Sequence, residues 1–150
     1  MPKVLVALDE SELSVHVARV AKDLFAGTET KLLAISVATV PTLWADPFGG
    51  VHTLKGDPDG DDDILTEDAL EHRVADVMAE ADLQPDETLM EVGAPVERIC
   101  AAAEDFDVDV IVVGTHDKGF FRRMIDPLVS EGVLTHTTRP VIIVHPPTDA

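Results

Sequence analysis

The chain has 150 residues, of which 29 are acidic and 11 basic, so its formal charge is −18 with histidine neutral. An apolar content of 45% is enough to form a core, which argues against global disorder and fits one domain at this length. The acidic balance argues against nucleic acid and anionic membranes as partners, because affinity for both depends on Lys and Arg. The single cysteine excludes an intrachain disulfide, and the first apolar run is too short for a signal peptide or a membrane span, so a soluble cytoplasmic protein is expected.

The chain begins with a pattern typical of a buried strand followed by an amphipathic helix. Residues 3–9 form a nearly continuous apolar run that ends at the carboxylate Asp9, as expected for a strand covered on both faces. From Ser11 the apolar residues recur at helical spacing, and Gly27 predicts the end of this first helix. The predicted apolar stripe of the helix consists of Leu13, Val17, Val20, Ala21 and Leu24.

Residues 31–37 indicate a second buried strand, and the segment after it is different in composition. Residues 41–63 contain three prolines, four glycines and the single tryptophan, and they are interpreted as a long surface excursion. A second helix follows and ends before Pro85. Its predicted inward residues are Leu70, Val74, Val77, Met78 and Ala81.

The second half of the chain repeats the alternation of strand and helix. A short strand at 88–92 precedes a helix that Pro95 opens, and residues 109–114 form another buried strand. A helix at about 129–136 and a last strand at 141–144 complete a predicted set of five strands and four helices. The third helix directs Val96, Ile99, Cys100 and Ala103 inward, so Cys100 is expected to be a small core residue.

This alternation predicts a doubly wound α/β domain over residues 1–146, with a short tail at 147–150. The domain is a single five-stranded parallel sheet with helices on both faces. In the common strand order 3-2-1-4-5, the first and fourth strands are neighbours and the winding reverses between them, which forms a ligand crevice at their carboxyl ends. Asp9 and Gly114 end these two strands.

Several residues near the predicted crevice have two interpretations. Gly114 and Gly119 flank a loop that leads to a helix, a pattern that can present backbone N–H groups to phosphate but also describes a tight turn without a ligand. Asp9 fits either a ligand contact or a cap of the first helix. His116 fits a solvated loop residue, because no nucleophile and orienting acid accompany it.

The acidic run at 57–63 resembles a calcium-binding loop in composition, but its spacing does not fit one. Carboxylates fall at positions 1, 3 and 5 of a possible loop, but the glycine stands at position 4 instead of 6, and position 12 is Asp68 instead of Glu. A solvated acidic linker is the better interpretation. The six histidines show no paired spacing typical of metal ligands, so no metal site is predicted.

The sequence resembles the universal stress protein family over nearly its whole length. The resemblance lies in four segments in the expected order: Val-Ala-Leu-Asp-Glu-Ser at 6–11, Val-Gly-Ala-Pro at 92–95, the run from Asp107 to His116, and Arg-Pro-Val-Ile-Ile-Val at 139–144. It implies an adenine nucleotide alpha hydrolase-like fold with strand order 3-2-1-4-5, and stress-linked or regulatory roles that often lack a defined reaction. It also implies a homodimer through the last strand, Val141, Ile142, Ile143 and Val144.

Many members of that family bind ATP or another adenine nucleotide through a pattern of the form Gly-x2-Gly-x9-Gly-Ser/Thr after the fourth strand. Gly114 matches the first glycine, whereas Asp117, Pro127 and Leu128 occupy the other three positions. The resemblance further implies that Asp9 contacts adenosine, that the backbone at Val37 meets adenine, and that the Ser130 hydroxyl lies near the phosphates. The full set of implied ligand-binding residues is Asp9, Val37, Gly114, Thr115, His116, Gly119, Arg122 and Ser130.

The three departures from the pattern all oppose phosphate binding. Proline has no N–H, leucine has no hydroxyl, and an aspartate adds a negative charge beside a polyanion. A lost hydrogen bond to a charged group costs roughly 1.5 to 3 kcal/mol, and a nearby like charge costs on the order of 1 to 4 kcal/mol. Together they predict a loss of roughly 10³-fold in affinity, at about 1.4 kcal/mol per decade.

The favoured interpretation is therefore a non-catalytic, homodimeric protein of this kind with a weakened or lost ATP site, acting through a protein partner or a small ligand. The alternative is a member that binds ATP or AMP, or a slow ATPase, in which Lys118 and Arg122 replace the missing contacts. A nucleotide-transferring enzyme is disfavoured, because no Ser-Gly-Gly-x-Asp-Ser loop follows the first strand. No cofactor is assigned beyond ATP and AMP as candidates.

The charge of −18 with only five lysines suggests a halophilic cytoplasm, where salt screens self-repulsion.

Overall fold

The computed structural model describes residues 1–38, 43–45, 51–53, 67–115 and 129–147, and it describes side chains for 1–38, 68–115 and 132–147. In these ranges no helix is both long and apolar enough to cross a membrane. The elements in chain order are β1 Lys3–Ala7, α1 Glu12–Phe25, β2 Lys31–Ala38, β3 Leu43–Ala45, β4 Val51–Thr53, α2 Glu67–Ala81, β5 Glu87–Val92, α3 Pro95–Asp105, β6 Val110–Gly114, α4 Val129–His136 and β7 Val141–Val144.

Five strands form one parallel sheet in the order β5-β2-β1-β6-β7. Counted along the chain within this sheet, that order is 3-2-1-4-5, so the predicted fold class is confirmed. The central strand β1 pairs with β2 and β6, and Leu5 stands opposite Leu33 on one side and Ile111 on the other. The carboxyl ends of β1 and β6 are therefore adjacent at the point where the winding reverses.

The excursion after β2 contains two strands that the sequence interpretation did not include. β3 and β4 form a separate antiparallel pair in which Leu43 stands opposite Thr53 and Trp44 opposite His52. The prediction of only five strands is thus wrong for the whole chain, although it holds for the main sheet. Each of these strands has three residues, too few for a recognisable alternation of apolar and polar positions.

The core consists of two layers, one on each face of the sheet. Along β1, Val4 and Val6 pack into the layer beneath α1 and α2, whereas Leu5 packs into the layer beneath α3 and α4. This division follows from the two-residue period of a strand, which sends successive side chains to opposite faces. Because both faces are covered by helices, β1 is apolar on both, as its sequence predicted.

Helix α1 packs on the sheet through most of the predicted stripe, but Leu24 in its last turn is exposed. Leu13, Val17 and Ala21 are buried, whereas the side chain of Leu24 is 53% exposed, so its inclusion in the stripe was wrong. The next residue, Phe25, is half-buried and packs against the core, so Phe25 and not Leu24 is the inward apolar residue of the last turn.

Helices α2 and α3 end in the same way, with an aspartate in the left-handed conformation. Asp82 has φ 55° and Asp107 has φ 51°. The next N–H reaches back into each helix, from Leu83 to Met78 O at 2.9 Å and from Val108 to Ala103 O at 3.0 Å. These are Schellman-type ends, in which an apolar residue after the left-handed position is buried against the helix.

Arg139 joins the last strand to the end of α3. Its Nη1 lies 2.7 Å from a carboxylate oxygen of Asp107 and 3.2 Å from the Val108 carbonyl oxygen, and its Nη2 lies 3.0 Å from a carboxylate oxygen of Glu104. Hydrogen bonds and charge from this guanidinium lower the pKa of both carboxyl groups, and the two carboxylates raise the pKa of Arg139 above its ordinary value. The chain therefore enters β7 at a fixed position relative to α3.

The negative charge lies at the surface of the described structure. None of the aspartate and glutamate side chains that the structure describes is buried, and the buried polar residues among those ranges are Ser14 and Ser36. On α2 the exposed residues Asp76 and Glu80 are like charges four positions apart, and the last turn has no basic residue to complement the helix dipole. Folding therefore concentrates charge that is more widely separated in the unfolded chain.

We expect added salt to stabilise the fold, because screening reduces this repulsion. The urea midpoint of unfolding should rise between about 0.1 M and about 1 M KCl, over which the Debye length falls from about 10 Å to about 3 Å. The double substitution Asp76→Asn/Glu80→Gln should raise the midpoint at low salt and reduce its dependence on KCl. A midpoint that is independent of KCl in both proteins would contradict the expectation.

Candidate functional site

Three of the predicted ligand-binding residues lie at the carboxyl ends of three neighbouring strands. Ala7 stands opposite Ile35 in the pairing of β1 with β2, and Val6 stands opposite Val112 in the pairing of β1 with β6. Asp9 follows β1 by two residues, Val37 is the last residue but one of β2, and Thr115 directly follows β6. All three residues are half-buried. The parallel sheet thus brings together residues that are distant in sequence.

The carboxylate of Asp9 takes part in the start of helix α1. Its Oδ1 accepts hydrogen bonds from the Ser11 N–H at 2.8 Å, from the Ser11 hydroxyl, and from the Ser14 hydroxyl at 2.7 Å. The Ser14 Oγ in turn accepts the Asp9 N–H at 2.8 Å. Ser14 is buried, so this reciprocal pair of bonds satisfies a polar group that would otherwise be costly inside the core.

The cap of α1 is Ser11 and not Asp9. The Ser11 hydroxyl accepts a hydrogen bond from the Ser14 N–H at 3.3 Å. The same hydroxyl donates a hydrogen bond to Asp9 Oδ1. Asp9 therefore holds the capping residue in place and does not itself cap the helix. The sequence interpretation did not assign a role to Ser11 or Ser14, although a serine at each end of a Ser-x-x-Ser run after a strand is a recognisable capping signal.

Gly114 is required by the packing of α1. A Cβ placed on Gly114 would lie 2.9 Å from Cγ2 of Val17 and 3.0 Å from Cδ2 of Leu13, closer than Cβ contacts ordinarily come. Both contacting atoms belong to buried side chains of α1. The position that matches the first glycine of a nucleotide-binding pattern is thus explained by helix packing without reference to any ligand.

The amide after Gly114 is also engaged within the fold. The Thr115 N–H donates to the Val144 carbonyl oxygen at 2.9 Å, which extends the pairing of β6 with β7 by one bond. A backbone N–H that already has a good partner is a poor donor for a phosphate, because a ligand would have to replace that bond.

The remaining predicted residues are described only in part. Ser130 is the second residue of α4, but its side chain lies outside the described part of the molecule, and so do His116, Gly119 and Arg122. The acidic run at 57–63 and the positions Asp117, Pro127 and Leu128 also lie outside it. Among the residues that are described, no group of three or more His, Cys, Asp or Glu side chains could hold a metal ion.

Cys100 is half-buried on α3 and packs against the core layer beneath α3 and α4. Burial raises the pKa of its thiol, and the negative charge of Glu104 raises it further. The thiolate, which is the nucleophilic form, is therefore disfavoured at neutral pH. The sequence predicted a small core residue, whereas in the structure Cys100 lies at the margin of the core and is only partly buried.

Comparison with known proteins shows a family whose members resemble this chain in sequence. The sequence model described as "Universal stress protein family" matches residues 1–145. Among characterised proteins, the universal stress protein MJ0577 of Methanocaldococcus jannaschii is 38% identical over 53 residues. That stretch covers 35% of this chain and 33% of the relative, so the chain is aligned with about a third of that protein's length.

Solved structures similar to this chain have the same α/β fold. A structure of MJ0577 is 20% identical with a TM-score of 0.65, and the match covers 99% of this chain and 98% of that one. A universal stress protein in complex with cAMP is 19% identical with a TM-score of 0.63, and 96% of each chain is covered. The universal stress protein of Archaeoglobus fulgidus in complex with dAMP is 20% identical with a TM-score of 0.54, covering 96% of this chain and 97% of that one.

We expect Gly114→Ala to destabilise the protein even when no ligand is present, because its methyl group would overlap Val17 and Leu13. The cost should be about 1 to 3 kcal/mol in urea unfolding, as for other overpacked cores. In a Val17→Ala background the same substitution should cost less, since the closest contact is removed. An equal cost in both backgrounds would show that α1 does not set the requirement for glycine.

Proposed function

The chain belongs to the universal stress protein family, and we propose that it serves as a non-catalytic, homodimeric regulatory member whose ATP site is weakened. One observation carries this proposal: of the four fully described residues that match the family's nucleotide-binding positions, three are engaged by the fold itself. Asp9 Oδ1 holds the cap of α1, Gly114 accommodates Leu13 and Val17, and the Thr115 N–H bonds to β7.

The sequence of the loop after β6 supports the same proposal. Where family members that bind ATP have two further glycines and a hydroxyl residue, this chain has Asp117, Pro127 and Leu128. Two hydrogen-bond donors are lost and one like charge is gained.

The raised pKa of the Cys100 thiol is consistent with a protein that does not use this residue as a nucleophile.

A second candidate function is adenine-nucleotide binding. Its support is that two solved structures with the same fold are complexes with cAMP and dAMP. In this alternative, the loop cations Lys118 and Arg122 supply the contacts that the substituted positions lack. The two functions differ by orders of magnitude in expected affinity for ATP, so a direct measurement separates them.

We expect isothermal titration calorimetry to show that ATP binds this protein no more tightly than about 1 mM. The triple substitution Asp117→Gly/Pro127→Gly/Leu128→Ser restores the family's pattern, and it should strengthen ATP binding by roughly 10³-fold, because it returns two donors and removes a like charge. Binding of ATP by the unmodified protein tighter than about 100 μM would overturn the proposed function in favour of nucleotide binding.

The matched control for the triple substitution is Asp61→Gly, which removes one negative charge from the acidic run at 57–63. It should leave ATP affinity unchanged within about twofold, since it alters the net charge but no position of the nucleotide-binding pattern. A gain equal to that of the triple substitution would assign the effect to overall charge.

The proposed homodimer forms through the free edge of β7. No described strand pairs with β7 on the side away from β6. The N–H of Ile111 donates to Pro140 O and that of Thr115 to Val144 O, so alternate residues of β7 face β6. The backbone groups of Val141 and Ile143 accordingly point outward, as an unpaired edge that soluble proteins normally cover or pair.

Helix α4, which precedes β7 in the chain, carries an exposed apolar residue. Val133 of α4 packs in the same core layer as Val141 and Ile143, and the next residue, Leu134, has a side chain that is 51% exposed. The proposed interface includes this leucine together with the edge of β7. Large exposed apolar side chains are typical of surfaces that bind another protein.

We expect light scattering at micromolar concentration to show a dimer, and Leu134→Asp to shift it towards the monomer by at least roughly tenfold in dissociation constant, because a charge would be buried in the interface. Leu24→Asp is the matched control, since that leucine is equally exposed but lies at the far end of α1. A monomeric unmodified protein, or equal effects of both substitutions, would contradict the proposed interface.

We also propose that the protein works in a salt-rich cytoplasm. The support is the charge of −18 and the exposure of the acids in the described structure. A surface of this kind tolerates its self-repulsion best at high ionic strength. The dependence of the urea midpoint of unfolding on KCl tests this proposal, because a protein adapted to high salt should be more stable when KCl is added.

A further inference from the structure

Arg139 lies where the end of α3, the end of α4 and the start of β7 meet. All three nitrogens of its guanidinium are engaged with the end of α3: Nη1 with Asp107 and the Val108 carbonyl, and Nε and Nη2 with the two carboxylate oxygens of Glu104, at 3.4 Å and 3.0 Å. Its backbone N–H donates to the Thr137 hydroxyl at 3.1 Å, in the connection that leaves α4. One residue therefore links two helices to the last strand.

The end of α3 is itself held by the sheet. Val108 is fully buried. The next residue, Asp109, exchanges two hydrogen bonds with the backbone of Lys3 at the start of β1, one through its N–H and one through its carboxylate, both at 2.8 Å. The Lys3 ammonium also donates to Phe106 O at 3.1 Å. The segment that binds the guanidinium is thus bonded to the central strand.

The first residues of β7 are only partly held by the core. β7 has four residues, of which the last, Val144, is buried and the other three are half-buried. Pro140 stands between Arg139 and the strand, and its ring restricts the backbone of both residues. The Pro140 carbonyl oxygen accepts the Ile111 N–H at 2.9 Å. A displacement of Arg139 therefore displaces β7, because rotation about the intervening backbone is restricted.

The guanidinium acts on β7 from the side opposite its free edge. Its partners lie in the segment that leads into β6 and is bonded to β1, and both of these strands are on the inner side of β7. The Arg139 side chain is 24% exposed, so most of it is covered by these contacts. It is therefore placed to position the edge of β7 without forming part of the surface that this edge presents.

We propose that the ion pairs of Arg139 with Glu104 and Asp107 position the edge of β7 for pairing with a second copy, so that dimerisation depends on residues outside the interface. This inference rests on the proposed function, which supplies the interface of β7 and Leu134, and it adds what holds that interface in place. The bond to Thr137 extends the effect to α4, the helix that carries Leu134. Arg139 is thus a positioning residue.

The end of α2 provides a matched control, because it has the same construction at the other side of the sheet. Asp82, like Asp107, is left-handed and exposed. Its carboxylate lies 2.8 Å from the Lys22 ammonium, as that of Asp107 lies 2.7 Å from the guanidinium. Asparagine also adopts the left-handed conformation, so replacing either aspartate removes an ion pair without straining the backbone. Asp82 leads into β5, the strand at the opposite edge from β7.

The test measures the dimer dissociation constant by sedimentation equilibrium on the full chain. Asp107→Asn should raise it at least roughly threefold, and Asp82→Asn should leave it unchanged within about twofold. Arg139→Gln, which removes every guanidinium contact, should raise it at least roughly tenfold, and Glu104→Gln/Asp107→Asn should approach that effect.

Urea unfolding separates positioning from general stability. In a Leu134→Asp background, at a concentration where the proposed dimer is dissociated, Asp82→Asn and Asp107→Asn should lower the midpoint by similar amounts. A difference between these two substitutions in dimerisation is then not a difference in folding. Because asparagine preserves the backbone conformation at both positions, the comparison does not depend on whether Arg139→Gln folds.

The outcomes distinguish this inference from the proposed function. Equal dissociation constants for Asp107→Asn and Asp82→Asn in a protein that is a dimer would overturn the inference and leave the proposed interface standing. Weakening by Arg139→Gln but not by Glu104→Gln/Asp107→Asn would also overturn it, because the guanidinium would then contact the second copy directly. A monomeric unmodified protein would overturn the proposed interface and the inference together.

Discussion

The close approach of α1 to the carboxyl end of β6 constrains the rest of this structure. Leu13 and Val17 occupy the space that a side chain at position 114 would need, so only glycine is compatible with the packing. The same helix is started by Ser11, which Asp9 and Ser14 hold in place. Residues that the resemblance to the family associates with a ligand are thus first of all parts of a strand–helix junction.

The distribution of charge follows from the same geometry. In a parallel sheet all strands begin at one edge and end at the other, and here the cations Lys3, Lys31 and Arg139 are engaged at the first edge. The end of β1 carries acids instead.

Some features could be predicted from sequence because they depend on local pattern. The buried runs at residues 3–9 and 31–37 correspond to β1 and β2, and the predicted helix at 129–136 has the bounds of α4. The left-handed ends at Asp82 and Asp107 were not predicted, and the ion-pair partners of these aspartates come from elsewhere in the chain. Those partners are Lys22 on α1 and Arg139 before β7, which no spacing rule connects to them.

The sequence by itself determined the class of fold, the strand order and the family, because the spacing of apolar residues and the order of the motifs are visible in the sequence alone. It also identified Asp9 and Gly114 as residues at the crevice. Only the tertiary structure decided that Gly114 is needed for Leu13 and Val17, and that Leu24 is exposed whereas Phe25 packs against the core. These outcomes depend on contacts between residues that are distant in sequence, and such contacts exist only once the chain has folded.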